Sequence, residues 1–351
     1  MSPKKTKTRV IVLYNQVGED EYEKLKDVDP STLGFKAEYP IAVSSVQEEY
    51  AAVVHALQKE GFDTRAVNIK EDLRKFERLL RRDPPDVVFN LVEFFHDNPR
   101  LEGSVAGIFE LYGIPYTGAG PFALGLCQRK GLTKQVLLAN GVPTPRYRLL
   151  TQPLVPKRHG LHYPLIVKPS REDASMGLDK GSVVYDYQGL VERVNMVFSS
   201  FKPPIIVEEF VEGRELHVSI LGNDPPIVLP IIEFDFSGLP PDHPTIISYA
   251  AKWNPLDESY HRVHSGCPAK LSQRLKKKVE AISLAAYKIT GVRDYARLDL
   301  RLDARNRAYV LEVNPNPDLT DGVSFMESAG KAGLSFSSTL RKIVEFALGR
   351  K

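Results

Sequence analysis

The segment from Tyr295 to Gly322, YARLDLRLDARNRAYVLEVNPNPDLTDG, alternates so regularly that its backbone has few choices. In its first half Ala296, Leu298, Leu300 and Leu302 fall on one face, and Arg297, Asp299, Arg301 and Asp303 on the other. That period of two is the mark of a strand. In the second half Val310, Glu312 and Asn314 share a face opposite Tyr309, Leu311 and Val313. A tight turn around Arg305 and Asn306, where asparagine tolerates left-handed backbone, joins the halves as an antiparallel hairpin with Asp299 opposite Glu312. An aspartate, a glutamate and an asparagine then converge beside Arg297. Hard oxygen donors grouped this way suit Mg²⁺, which takes few carboxylates and leaves room for phosphate oxygens. The same pattern also describes an ordinary solvated hairpin face, so the metal reading needs support from elsewhere in the chain.

A length of 351 residues suggests two or three domains, and 42% hydrophobic residues supplies real cores. The near balance of 47 basic and 44 acidic residues, net +3, gives no argument for nucleic acid or an acidic membrane as partner. Cys127 and Cys267 make neither a disulfide framework nor a zinc site, which fits a reducing cytosol. The basic start MSPKKTKTR precedes only VIVLY, too short for a signal-peptide core or a membrane span. The expectation is a cytoplasmic protein.

Residues 9 to about 117 alternate strands and helices. VIVLY (10–14), DTRAVNI (63–69) and DVVFNLV (86–92) read as strands, the first and third apolar enough for burial on both faces. Helical patterns fill the gaps at 46–61, stopped by Gly61, at 71–82, ended by Pro84 and Pro85, and at 101–113. Such alternation predicts a parallel sheet covered by helices. Ligands in these sheets sit beyond the carboxyl ends of strands, here the loops Asn15–Gly18 and Glu93–Arg100. Residues 15–45 form a polar insertion without periodicity and read as loop.

Residues 121–145 give one or two helices, and an α+β stretch follows. YPLIVKPS (163–170) is a strand running into the polar turn REDASMGLDKGS, then come the strand SVVYD, a helix, and two strands around Glu212 and Gly213. A lysine at a strand end is usually solvated. Lys168, however, follows Leu165, Ile166 and Val167 and precedes a small-residue loop of the kind that offers N–H groups to phosphates. Glu208, Glu209, Phe210 and Val211 form an acidic and apolar strand segment able to hold an adenine amino group and its flat ring.

Taken together, GIPYTGAG (113–120), Lys130 with Thr133 and Lys134, IVKPSREDASMG (166–177), EEFVEGRELHVSILG (208–222), AAKW with a later CPA, and RLDLR…LEVNPNPDLT (297–320) resemble the ATP-grasp superfamily. Within it the chain is similar to the D-alanine–D-alanine ligases over nearly its whole length. The resemblance implies an ATP-grasp fold behind an N-terminal parallel-sheet domain. Its lobes are 1–120, on the substrate side, 121–222, a central lobe, and 223–351, a C-terminal lobe with the metal site. It implies Lys130 and Lys168 on the nucleotide phosphates, under a flexible loop containing Ser175, Met176 and Gly177. Glu208 and Glu209 with Phe210 and Val211 would hold the adenine, Glu215 the ribose, and Lys252 is another nucleotide contact. Asp299, Glu312 and Asn314 would hold two Mg²⁺ ions, with Mn²⁺ as a substitute, and Arg297 would stabilise the developing anion. The implied chemistry joins a small carboxylate or amino acid to an amine acceptor through an acyl phosphate. The resemblance also suggests a homodimer.

The departures cluster where substrate would bind. Ala42 stands at the place of the glutamate that the family carries between its first strand and first helix, with Glu38 the nearest acid, Ala174 replaces a serine, Trp253 a tyrosine, and Asp318 a glycine. The loop after the third strand offers Glu93 and His96 in place of the family's His-Gly. The expectation is therefore a carboxylate–amine ligase resembling D-alanine–D-alanine ligase, with a ligase of the same type acting on a different amino acid or small carboxylate as the alternative. The alternative from a different class is a nucleotide-binding regulator that has lost ligase activity. His55, His159, His162 and His217 read as surface or packing residues, His261 and His264 lack zinc spacing, and Arg274–Lys278 reads as a solvated helix face.

Overall fold

The computed structural model describes residues 7–18, 21–96 and 98–350. Its first sheet is parallel, with β1 (Arg9–Tyr14) between β2 (Asp63–Asn68) and β3 (Val87–Asn90). The helices that follow these strands are α1 (Val46–Lys59), α2 (Leu73–Arg82) and α3 (Glu102–Tyr112). Sequence sets their limits. Ser45 caps α1 by accepting from the Glu48 N–H while the Glu48 carboxylate accepts from the Ser45 N–H. The Asp72 carboxylate caps α2, and Gly113 closes α3 in left-handed backbone. Buried runs in β1 and β3 match the apolar segments that set the fold class. Residues 121–145 resolve into α4 (Pro121–Cys127) and α5 (Lys130–Ala139).

The second sheet is antiparallel, in the order β4 (Tyr147–Leu150), β7 (Ile205–Glu209), β5 (Leu165–Pro169), β6 (Val183–Val184). It carries α6 (Tyr187–Ser200) and a core of its own, in which Leu190 and Val194 meet Leu165, Val167, Ile205 and Val207. The third sheet contains β8 (Arg214–Leu221), β9 (Ile227–Val228), β10 (Ile232–Asp235), β11 (His264–Gly266), β12 (Tyr295–Leu302) and β13 (Ala308–Asn314). Its order is β11–β10–β8–β12–β13, with β9 paired to β8. Two short helices, α7 (Tyr249–Trp253) and α8 (Glu258–Arg262), connect β10 to β11. Helix α9 (Gln273–Ile289) packs Val279 and Ala286 into the core with Val218, Leu298 and Leu300, and its Arg274 and Lys276–Lys278 are exposed. After α10 (Ser324–Lys331), α11 (Phe336–Gly349) returns to the first sheet. There Leu340, Ile343 and Val344 join Val10, Val12 and Leu57 in one core, each burial worth roughly 1.5–3 kcal/mol.

Within the segment 121–222, residues 214–221 pair with the third sheet. The turn at Gly213 carries the chain out of the second sheet, and β8 hydrogen-bonds to β10 and β12 in the third. A side chain at Gly213 has no room, since its Cβ would lie 2.1 Å from the Leu302 carbonyl oxygen at a φ of +136°. The hairpin of β12 and β13 also departs from strict alternation. Asp299 does face Glu312, but the next pair is Leu300 with Val310, so Leu311 is an extra residue in a β-bulge. Val310 therefore turns inward with Leu300 and does not share the face of Glu312. The insertion 15–45 contains 3₁₀ turns at Glu21–Asp27 and Pro30–Thr32, and residues 19, 20 and 97 of the expected loops lie outside the described residues. Among the described residues no helix is long and apolar enough to cross a membrane.

Candidate active-site cleft

A cleft of about 970 Å³ separates the second sheet from the third. Lys168 and Glu208 enter from β5 and β7, and Glu215, Arg297, Asp299, Glu312 and Asn314 from β8, β12 and β13. Lys130, at the start of α5, Ser175 and Met176, from the loop after β5, and Glu209, Phe210, Val211 and Lys252 complete the set. Of the residues assigned from the resemblance to nucleotide, metal and anion, Gly177 is the exception. It lines an adjoining cavity, with its φ at +73° and its would-be Cβ 2.9 Å from Phe201 and Pro169.

Glu208 sits between two lysines on the second-sheet wall. One carboxylate oxygen is 3.4 Å from Lys134 and the other 3.4 Å from Lys168. Burial opposes the Glu208 charge, but the two lysines outweigh it and hold the carboxyl below its usual range. Lys134, almost wholly buried and donating to Thr144 at 2.8 Å, is pushed down to about 8, chiefly by that burial. The Oε1 of Glu208 is the oxygen that faces Lys134, an ion pair without a well-formed hydrogen bond.

The opposite wall is a row of charges fixed by strand register. Across β12 and β8, Arg297 faces Ser219, Asp299 faces His217, and Arg301 faces Glu215. Arg297 grips Asp299 with a two-pronged contact, 2.7 Å from Nε and 2.9 Å from a terminal nitrogen. Burial raises the cost of the Asp299 charge, and Arg297 more than offsets it. Lys130 crosses the cleft floor, 3.3 Å from Glu312 and 3.1 Å from Asp173. Burial works against its charge, yet the two carboxylates raise its pKa above the ordinary lysine value. Asn314 accepts from the Asn316 N–H through Oδ1 at 2.9 Å.

Two members of this wall were not selected from the sequence. His217, read there as a packing residue, lines the cleft 3.5 Å from Asp299, and its Nδ1 is 3.0 Å from the Ser324 hydroxyl. Burial first, then Arg297 and Lys252, drives its pKa well below the usual histidine value and leaves a neutral ring. Arg301 is buried 3.5 Å from Glu215 and lies over the Phe210 ring at 4.5 Å. Glu215 is pushed up to about 7, chiefly by burial and against the pull of Arg301. Period-two counting could have found both: Arg301 lies two residues beyond Asp299, and His217 two beyond Glu215.

The other end of the cleft is assembled from loops. Lys252 lies 4.9 Å from the Trp253 ring, and its pKa is lowered by burial and by Arg297. Glu93, beyond the carboxyl end of β3, is reached by solvent at the cleft mouth. Desolvation by the surrounding walls, then Asp318 and Asp173, push it up to about 7 against Lys252. His96 faces outward to Glu71 at 3.3 Å, and Ala42 is exposed ahead of α1.

Among the described residues no group of three His, Cys, Asp or Glu side chains is poised to hold a metal. What the cleft offers is two carboxylates and a carboxamide oxygen on adjacent strands. That donor set fits Mg²⁺ of the kind that shares its remaining positions with water and phosphate.

A family model described as D-ala D-ala ligase C-terminus matches residues 136–345. An uncharacterized protein, y4sG, of Sinorhizobium fredii is 34% identical over 302 residues, 84% of this chain and 86% of its own. The D-alanine–D-alanine ligase of Carboxydothermus hydrogenoformans is 32% identical over 306 residues, 85% of this chain and 91% of its own. The structure of a D-alanine–D-alanine ligase from Bacillus anthracis complexed with ATP superposes with a TM-score of 0.74, covering 98% of each chain at 24% identity. At that identity the likeness concerns the fold.

Proposed function

This chain belongs to the D-alanine–D-alanine ligase family, and from that premise we propose that its cleft activates a small carboxylate with ATP and joins it to an amine. As a family member it is an ATP-dependent, ADP-forming carbon–nitrogen ligase with the ATP-grasp fold. The observation that carries the finer reading is the pairing across the cleft, in which cationic Lys130 and Lys168 stand opposite the acid face of Asp299 and Glu312.

In this reading Lys130, Lys168 and Lys252 bind the phosphates, under the loop of Ser175, Met176 and Gly177. Glu208 would accept from an adenine amino group, with Glu209, Phe210 and Val211 beside the ring, as the lining of the cleft by all four supports. Glu215 lies within reach of the ribose. Asp299, Glu312 and Asn314 would hold Mg²⁺, two ions in the full reading, and Mn²⁺ would substitute. When bound, Mg²⁺ would neutralise charge on the phosphate oxygens. Arg297 is fixed by Asp299 and aims a permanent positive charge at the acid face, where it stabilises the anion that develops.

Chemically, a carboxylate oxygen attacks the γ-phosphorus of ATP and ADP leaves, giving an acyl phosphate. The amine then attacks the acyl carbon and phosphate leaves with one oxygen of the original carboxylate. Positioning and electrostatics supply the catalysis, as no protein nucleophile is needed. On the substrate side Glu93 and Asp318 supply carboxylates for an ammonium group, and Ala42, Ala174 and Trp253 replace the polar residues of the family pattern. The substrate is therefore an amino acid or small carboxylate other than a plain pair of D-alanines. Cytoplasmic location and a homodimer complete this reading, on family likeness alone.

The test uses a mixture of D- and L-amino acids carrying ¹⁸O in their carboxylates, incubated with the protein, ATP and Mg²⁺. One ¹⁸O in each released phosphate is the expected result. Phosphate released without label contradicts the acyl-phosphate reading.

A further inference from the structure

Nothing in the cleft explains the insertion 15–45, yet its contacts are specific. It lies on α7 and α8, the segment that carries Lys252 and Trp253. The Tyr22 hydroxyl donates to the Trp253 carbonyl at 3.5 Å. His261 is fully buried, and its Nδ1 accepts from the backbone N–H groups of Glu38, at 3.1 Å, and Tyr39, at 3.0 Å. With Nδ1 accepting twice, the ring proton is on Nε2, which donates to the Pro255 carbonyl at 2.8 Å. Phe35 and Tyr39 pack their rings against the same imidazole. Glu38 adds an ion pair with Arg262 at 2.7 Å and a contact with the His264 ring at 3.3 Å.

The other end of this segment reaches the nucleotide loop. The Trp253 indole N–H donates to the Ala174 carbonyl at 2.9 Å. Ala174 and Ser175 hold left-handed backbone, at φ of 55° and 61°, a conformation that non-glycine residues keep only when neighbours enforce it. The helices in between have almost no core of their own. Helix α7 buries none of its residues, and α8 buries only His261. Helices that bury no apolar side chain take their position largely from polar contacts, and here His261 makes two of those with the insertion.

We propose that His261 is a positioning residue for the ligase reaction, clasped by the insertion 15–45 and acting through Trp253 to hold Lys252 and the loop at 171–178 over the nucleotide phosphates. The inference rests on the nucleotide reading of the cleft. It extends that reading by giving the insertion a role and by making loop closure depend on a residue outside the cleft lining.

Trp253 is the only tryptophan in the chain, so its emission reports on the contact with Ala174. Adding ATP with Mg²⁺ to the unmodified protein changes that emission and gives an apparent affinity. His261→Ala is expected to weaken the affinity about tenfold, as for the loss of one or two net hydrogen bonds, and to flatten the emission change. His261→Asn places a carboxamide oxygen near the position of Nδ1 and restores affinity to within about threefold. A merely structural role lowers the melting temperature of both variants and leaves their affinity at the parent value. His261→Gln keeps a donor for Pro255 but not the acceptor for the insertion, and it serves if the alanine variant does not fold. Parent-like affinity and emission response in His261→Ala or His261→Gln overturns the proposal. Absence of any ATP binding by the unmodified protein overturns the nucleotide reading beneath it.

Discussion

The two ends of the cleft handle charge in opposite ways. At the nucleotide end cations and carboxylates stand together: Lys134 and Lys168 on Glu208, Lys130 on Glu312, Arg297 on Asp299, and Arg301 on Glu215. At the acceptor end Glu93 is pushed up to about 7 with Asp318 and Asp173 acting on it, and Lys252 is the cation that opposes them. Buried charges are tolerated only when paired, so the nucleotide end is organised before any ligand arrives. The acceptor end holds an excess of carboxylates that a substrate ammonium would relieve. In the proposed function one end takes a ligand of fixed chemistry, and the other carries the identity of the substrate.

The sharpest way to break this comparison is at the metal face. Glu312→Ala removes a proposed metal ligand and the partner of Lys130, and should lower ADP release by ~10²–10³-fold or more. Activity close to the parent's would remove the hairpin from the site. A smaller effect separates organisation from chemistry. Lys134→Met leaves Glu208 with Lys168 alone in a buried place and should destabilise the fold by about 3 kcal/mol, read from denaturant unfolding. Stability equal to the parent's would mean that the pairing at the nucleotide end contributes nothing to its organisation.

Much of the nucleotide end is legible in the sequence because β12 carries alternation strong enough to fix the register, and Asp299 does lie opposite Glu312. The bulge at Leu311 is less legible. Its trace is the adjacent apolar pair Val310 and Leu311, which interrupts the alternation and reads equally well as noise. His217 is half legible: period-two counting puts it on the face of Glu215, but only the pairing of β8 with β12 places it beside Asp299. The insertion is the least legible, since its hydrogen bonds to His261 come from backbone N–H groups that any sequence possesses.

The central claim is a family nucleotide site joined to a changed acceptor site, and one measurement bears on it most directly. ADP release is followed with Mg²⁺ and ATP over D- and L-amino acids, singly and in pairs, with the products weighed by mass spectrometry. The account predicts turnover with a pair that includes an amino acid other than D-alanine, and a condensation product of matching mass. Fastest turnover with D-alanine alone, yielding its dipeptide, would contradict it.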